Sequence, residues 1–471
     1  MPERRENVII SVGGKEWSGW SGLTIRRSAD RFAEATFTAP FEPEREEFRK
    51  LFRPFGYAPV TVAIGGKTML IGTMLGVTPN MEPSSRTVDV TCYSQAGVLN
   101  DVTMPRASYP LEFNGLTLRQ IAEKCCAPFG IPVVFQLDDK AHAENAAYRV
   151  HLGRVAEAKR RIAQRNRVKE LERIRDEYVE STLTPEPGVV AGWNAAVDQA
   201  KLHRDYAAMR EAEKMRQKAR LEEFTGNHFG VSETRERYVK YLESQAALAE
   251  ARALAIPKFS GTALDLPFRR VAVKPDESVL GFLVKLAQQR NFIITDTDVG
   301  ELLFCRSTPP GAPVAKLHEG KPPLLSVSAT FSPQNMFSEM TAISKGRAGA
   351  RAGAFTAQNP HLSHVTRPST FSPDDTDSPD LEAAANARVG RMLASAASFE
   401  VEVPTWRDVN GELWTENTTV SLLAPSAMIY RETEMLIRDV EFTYGESLTA
   451  RLSLVLPGAF SGEIPEVMPW D

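Results

Sequence analysis

The stretches Ile10-Ser11-Val12-Gly13-Gly14-Lys15 and Val62-Ala63-Ile64-Gly65-Gly66-Lys67 nearly repeat one another. Each alternates along a short apolar run into a Gly-Gly pair, and glycine takes the positive φ angles of a two-residue hairpin turn without steric cost. Two tight hairpins are therefore expected, with turns at Gly13, Gly14, Gly65 and Gly66. Between them, Leu23 to Ile25 and Ala35 to Thr38 read as further strands, and Glu44 to Phe55 as a short charged amphipathic stretch closed by Pro54. Met69 to Leu75 and Val88 to Cys92 alternate again, so residues 1–105 carry enough short strands for a barrel or a sandwich.

Outward from this block the period changes. Leu118, Ile121, Ala122 and Cys125 line one face of a helix that ends at Pro128 and Gly130, and Ile131 to Gln136 follows as a strand. The same grammar returns far downstream: Val279, Phe282, Leu283 and Leu286 line a helix, with strands at Phe292 to Thr295 and Glu301 to Cys305. Residues 106–140 and 259–323 thus read as two parts of one small α/β layer. The segment between them, 141–258, has 22 basic and 18 acidic residues, while the whole chain of 471 residues has a net charge of −4. It reads as a charged helical insertion, a hairpin or small bundle, with helices over Leu152 to Val179, Trp193 to Phe224 and Ser232 to Ala255 separated by Thr182 to Gly188 and Thr225 to Gly230. Leu171, Ile174 and Tyr178 supply an apolar face. From 324 to 460 the chain is again mostly β, with a long loop at 346–380, a helix at 381–397, and strands at Phe399 to Val403, Thr419 to Leu423, Met435 to Thr443 and Leu448 to Leu456. Residues 461–471 are expected to form a C-terminal tail. The fold class is α+β, mainly β.

Composition narrows the function. With 42% hydrophobic and 25% charged residues the chain is neither a basic nucleic-acid binder overall nor a disordered one. Four cysteines cannot frame a protein of this length, and Cys125 and Cys126 are adjacent, so folding in a reducing cytoplasm is expected. No run approaches the ~18 apolar residues of a membrane helix and no apolar signal segment follows Met1 to Asn7, so a soluble protein that is not Sec-exported is expected.

Chemical motifs are weak. Gly66-Lys67-Thr68 resembles the end of a phosphate-binding loop, but Thr61 stands where the first glycine belongs, and the context is strand-turn-strand. His361 and His364 have no third ligand nearby and read as loop residues rather than a metal site. Asp138-Asp139 and Asp374-Asp375 fall in polar turns without the apolar surroundings that would raise an acid for glycosidase chemistry. Arg154, Lys159, Arg160, Arg161, Arg165, Arg167 and Lys169, against Glu157 alone, make the best case for nucleic acid, yet acids resume from Glu170 and no aromatics interleave. A solvated helix face or a protein partner is the simpler reading. No catalytic, cofactor-binding or metal residues are therefore assigned, and Trp20 and Trp414, each beside a strand, are read as packing aromatics.

The order of these blocks is specific. Asn7 to Leu23 with its Gly-Gly turn and Trp20, then Arg26-Arg27-Ser28 and Ala35-Thr36-Phe37-Thr38, resembles the start of Mu-type phage baseplate hub proteins. Val60 to Gly72 and Leu116-Thr117-Leu118-Arg119-Gln120-Ile121-Ala122 leading into Pro128-Phe129-Gly130-Ile131-Pro132-Val133 resemble the middle of that family. Asp276-Glu277-Ser278-Val279 through Gly300-Glu301-Leu302-Leu303, and Gly411-Glu412-Leu413-Trp414 through Leu436-Ile437-Arg438-Asp439-Val440, resemble its later blocks. The resemblance implies two tail-tube-like β-barrels per chain and a homotrimer joining a sixfold tail tube protein to a threefold central spike protein in the virion baseplate of a contractile tail. It also implies a channel through which DNA passes without specific binding, after synthesis in the host cytoplasm. The 141–258 insertion has no counterpart in that pattern, and contact with other baseplate proteins is expected of it. Two other classes compete: a tail-tip cell-wall hydrolase, which needs an acid pair the sequence does not display, and a nucleic-acid binder acting through residues 154–169.

Overall fold

The computed structural model describes residues 6–17, 19–83, 85–109, 112–137, 139–181, 191, 195, 263–268, 271–306, 312–344, 353–373, 381–445, 448–456, 459 and 464–471. The chain divides into two compact units, Met1–Glu144 with Gly261–Asp471, and Asn145–Ser260.

In the first unit, β1 (Val8–Val12) and β2 (Lys15–Trp17) form a hairpin around Gly13 and Gly14, at φ +60° and +78°. Strands β3 (Gly22–Ser28) and β4 (Glu34–Pro40) follow, then helix α1 (Glu46–Leu51), whose Phe48 and the following Phe52 meet the ring of Trp17 edge-on at 5.0 and 5.6 Å. Strands β5 (Pro59–Ile64) and β6 (Lys67–Glu82) turn at Gly65 and Gly66, at φ +57° and +84°. Two successive positive φ values are what a turn matching the strands' own twist requires. Because β1 pairs antiparallel with β5, Ile10 opposite Val62 and Val12 opposite Val60, the two similar hairpins lie side by side and share their buried rows. Strand β7 (Ser85–Ser94) returns along β6, and a short helix α2 (Val98–Asp101) leaves the sheet.

Helix α3 (Leu118–Cys126) starts with a reciprocal cap: the Thr117 hydroxyl accepts from the Gln120 amide and the Gln120 side chain accepts from the Thr117 amide. Strand β8 (Val133–Gln136) leads to helix α4 (Asp139–Ser181). Past the insertion, helix α5 (Val279–Gln288) is capped by Ser278, and β9 (Ile293–Asp296) and β10 (Leu302–Cys305) follow. Strand β10 pairs parallel with β8 and antiparallel with β9, so the two sequence-distant parts of the α/β layer share one three-stranded sheet. The apolar faces of α3 and α5 enter one core with Phe292 and Phe304.

Strands β11 (Lys316–His318), β12 (Ser326–Phe331) and β13 (Glu339–Ile343) come next. The expected loop at 346–380 is corrected here: it contains β14 (Ala354–Gln358) and β15 (Pro368–Phe371), which flank β13 in a small sheet. The alternation Ala354-Phe355-Thr356-Ala357-Gln358, with the second and fourth residues half-buried, is too short to stand out among glycine, alanine and serine; pairing with β13 and packing under helix α6 (Leu381–Ala396) decide it. Strands β16 (Ala397–Val403), β17 (Thr419–Ala424), β18 (Ile429–Tyr444) and β19 (Leu448–Val455) complete the unit.

The amino- and carboxy-terminal β portions meet directly. Strand β18 pairs with β3 from Asp439 opposite Ser28 to Tyr444 opposite Leu23, producing a network of thirteen strands in the order β12-β16-β19-β18-β3-β4-β7-β6-β5-β1-β2, with β11 and β17 branching from β18. At Arg438 a bulge inserts one residue into β18 opposite β19. The expected C-terminal tail is not a loose end, because Met468 is buried, the amide of Tyr430 donates to the Pro469 carbonyl, and Trp470 meets Phe331 edge-on at 5.2 Å.

In the second unit the described part of α4 has buried or half-buried residues at 145, 148, 151, 155, 158, 162, 165 and 168, a helical stripe, with Glu170 paired to Arg173 at 2.8 Å on the exposed side. Leu171 and Ile174 are half-buried. The helices expected at Trp193 to Phe224 and Ser232 to Ala255, with their connections, lie outside the described residues, as does the side chain of Tyr178.

Candidate functional site

Cross-strand register places side chains of one kind in rows on one face of the large sheet. Thr449, Thr443, Thr24, Thr36 and Thr91 are successive partners across β19, β18, β3, β4 and β7. The next row runs Ser326, Glu402, Arg451, Glu441, Arg26 and Glu34 from β12 to β4, alternating in sign through its charged members. A third runs Ser328, Glu400, Ser453, Asp439 and Ser28. Arg451 pairs with Glu441 at 3.7 Å, and Ser326 donates to Glu402 at 3.3 Å. Opposite-charge neighbours on adjacent strands stabilise such a face, and short hydroxyl side chains keep it level and wet. The second and third rows line a groove of about 430 Å³ with four carboxylates, Glu400, Glu402, Asp439 and Glu441, against the guanidinium groups of Arg26 and Arg451.

The reverse face is core, and it holds a buried charge. Arg27 shares the inward parity of Leu23 and Ile25 and is only 4% exposed. Its guanidinium donates to Glu416 at 2.7 and 2.9 Å and to the Met69 carbonyl at 2.9 Å, and lies 3.2 Å from Asp298. Burial opposes the charge, but the carboxylates of Glu416, Asp296 and Asp298 outweigh it and hold the Arg27 pKa above its ordinary value. Asp296 shows the opposite balance: burial raises its pKa and Arg27 offsets that only in part, while one carboxylate oxygen accepts from the Ala33 amide at 3.1 Å. The Thr295 hydroxyl donates toward the carbonyls of Ser28 and Arg31, both at 2.8 Å. This cluster ties β3 and β6 to β9 and to the segment before β17. Among the described residues no group of His, Cys, Asp and Glu is arranged to hold a metal ion.

A second junction explains one of the expected turn residues. Arg407 grips Glu6 through two bonds of 2.7 and 2.9 Å and donates to the Gly411 carbonyl at 2.9 Å. A Cβ on Gly65 would come within 2.7 Å of that guanidinium, whereas one on Gly14 or Gly66 would meet nothing within 4 Å. Gly13 lies near Leu51. Trp414 is buried and donates from Nε1 to the Thr405 carbonyl at 3.0 Å, and Trp20 is half-buried with its ring edge-on to Tyr444 at 4.8 Å. Sequence reading missed Trp406, which is buried against Phe442 and donates to the Thr449 carbonyl, and the charged set around Arg27. Strand parity was the signal for Arg27; nothing local announced Glu416 or Asp296.

The remaining motifs stay scattered. Lys67 and Thr68 open β6, with no helix behind the turn. His361 shares its Nε2 with the Pro465 carbonyl at 2.6 Å. Asp139 opens α4 rather than lying in a turn, since the helix begins earlier than its apolar spacing announces; Asp138, Asp374 and Asp375 lie outside the described residues. All four cysteines are free and buried, and burial pushes each thiol up to about 12. Among the basic residues of α4, Arg161 pairs with Glu157, and Arg154, Lys159, Arg160, Arg167 and Lys169 are exposed. No described helix is long and apolar enough to cross a membrane.

Comparison with known proteins agrees with the sequence reading. Residues 381–463, from α6 through β19, match the fourth domain of the Mu phage baseplate assembly protein GpP. Baseplate hub protein gp44 of Escherichia phage Mu is 28% identical over 195 residues, 38% of this chain and 49% of that protein, so the match spans about half the length of the relative. Two solved structures share the fold at a TM-score of 0.60: the 43 kDa tail protein of prophage MuSo2 from Shewanella oneidensis, 18% identical over 96% of this chain and 99% of that one, and a tail protein from Neisseria meningitidis MC58, 13% identical over 97% and 98%. The chain resembles the Mu-type baseplate hub, a structural component of the phage tail.

Proposed function

We propose that this chain, a baseplate protein by that resemblance, is the structural hub of a contractile tail: a homotrimeric ring that joins the sixfold tail tube to the threefold central spike and leaves a channel for the genome. The polar face of the large sheet carries the reading. A wall that passes polyphosphate has to be hydrated and must not neutralise phosphates, since each neutralised phosphate adds affinity through released counterions. The threonine row meets the first need, and the carboxylates of Glu400, Glu402 and Glu441 meet the second, so DNA passes without specific binding. In this reading the β portions at 1–105 and 324–460 are the two tube-like barrels. Strands β2 and β12, each paired on one side only among the described strands, are edges at which neighbouring copies meet. The tail tube protein and the spike protein bind the two ends of the ring, and residues 141–258 reach another baseplate protein. The hub has no catalytic role; the described acid whose pKa is raised, Asp296, is enclosed beside Arg27 and gives the hydrolase reading no support. Its place is the virion baseplate, after synthesis in the host cytoplasm. Negative-stain images of the purified protein test this: threefold rings with a central hole are expected, and uniform globular monomers at micromolar concentration would overturn it.

A further inference from the structure

Helix α6 meets α5 near its middle, where Ala387 and, one turn on, Arg391 face Val284, Ala287 and Gln288. A pocket of about 150 Å³ separates the elements there, and Arg391 lines it together with Ala387, Gln288, Asn291 and Asp30. Asp30 does not serve as counter-ion, being occupied by Arg438 at 3.2 Å and by the Ser28 hydroxyl at 3.0 Å. No carboxylate among the described residues lies within ion-pair distance of Arg391, and the neighbouring cation, Arg388, is one turn away on the same helix. Burial, and then Arg388, draw the Arg391 pKa down to about 10, still far above neutrality. An arginine keeps its proton at physiological pH, so a half-enclosed, uncompensated guanidinium calls for an anion or trapped water.

We propose that this pocket is an oxyanion site, with Arg391 as its anchor, taking a phosphate group or a carboxylate side chain. The volume accommodates a tetrahedral or planar oxyanion with a water, given ~30 Å³ per water. The planar guanidinium offers paired donors to either kind of oxygen. The proposal stands apart from the hub reading, because no residue that lines the pocket is a member of the polar rows.

Thermal unfolding of the full chain at constant ionic strength, with inorganic phosphate replacing chloride, tests it. A saturable rise of roughly 1–3 °C is expected for the natural sequence, through binding to the folded state, and none for Arg391→Gln. Lys321→Gln, at an exposed lysine, should keep the full rise. Ala387→Glu places a carboxylate one turn before Arg391 and should raise the melting temperature itself while abolishing the phosphate response. A second titration with N-acetylglutamate amide separates the sources: a larger response to phosphate assigns a phosphate-bearing ligand, and a larger response to the amide assigns a carboxylate side chain from a partner. Absence of any response in the natural sequence, or an equal response in Arg391→Gln or in folded Ala387→Glu, would overturn the proposal.

Discussion

Arg26 and Arg27 are neighbours on one strand and have opposite fates. Arg26 stands in a solvated row between Glu441 and Glu34, where each charge has a partner of opposite sign on the adjacent strand and water all around. Arg27, one residue later, is sealed behind the sheet with Glu416 and Asp296, while its third partner, Asp298, stays half-exposed. The same side chain is an interchangeable part of a surface pattern in one place and a joint between modules in the other. What differs is desolvation: in water an ion pair adds almost nothing, while in the interior losing one member strands the rest.

The largest break in this comparison should come from Arg27→Met. It leaves Glu416 and Asp298 without their cation, and about 3–5 kcal/mol of stability should be lost on denaturant unfolding. Adding Glu416→Gln should restore much of it, because the stranded charge, rather than the lost contact, is the main cost; no recovery in the double variant would show that packing dominates. Next comes the joint at Arg407. Gly65→Val should cost ~1–3 kcal/mol through its positive φ alone and exceed Gly14→Val, since only at Gly65 would the new side chain also press on the Arg407–Glu6 pair. Equal losses at the two positions would mean that Arg407 yields freely.

A pH series sharpens the inner half of the comparison. Burial raises the Asp296 pKa, so the folded protein holds that proton more tightly than the unfolded chain. Stability from this group is therefore complete below the unfolded value, ~3.9, and falls as pH rises through the folded value. Asp296→Asn removes the titration, and its stability relative to the natural sequence should increase as the pH rises above ~4; a difference independent of pH would contradict the raised pKa. Smallest of all, Arg26→Met should change stability by less than about 1 kcal/mol, measured in the same unfolding experiment.

The parts of the fold visible in the sequence are those decided locally. Gly13-Gly14 and Gly65-Gly66 declare their turns because the residues that need positive φ are adjacent, and α3 and α5 declare themselves by four apolar residues on one face. Strands β14 and β15 do not, since five and four residues of mixed small side chains acquire strand character only from β13 beside them. The union of β3 with β18 was equally invisible: the two strands are about 400 residues apart, and either alternation is compatible with many partners. The candidate polar face was hidden for the same reason. Each strand shows its outward Thr, Ser, Glu or Arg, but rows exist only once the register is fixed.

The bulge at Arg438 makes β18 unequally tolerant of editing. Arg438 has no counterpart on β19, so a chain lacking it could pass directly from Ile437, opposite Leu454, to Asp439, opposite Ser453, with every later neighbour retained. Removing Val440 or Glu441 instead would change the parity of everything on one side of the cut, carrying a carboxylate inward or an apolar residue out to water. The strand thus contains one residue that can be dropped at the cost of its ion pair with Asp30 and of the bond its carbonyl accepts from the Ala29 amide, flanked by positions where the count must stay fixed, and natural length variation in this strand should be confined to that point.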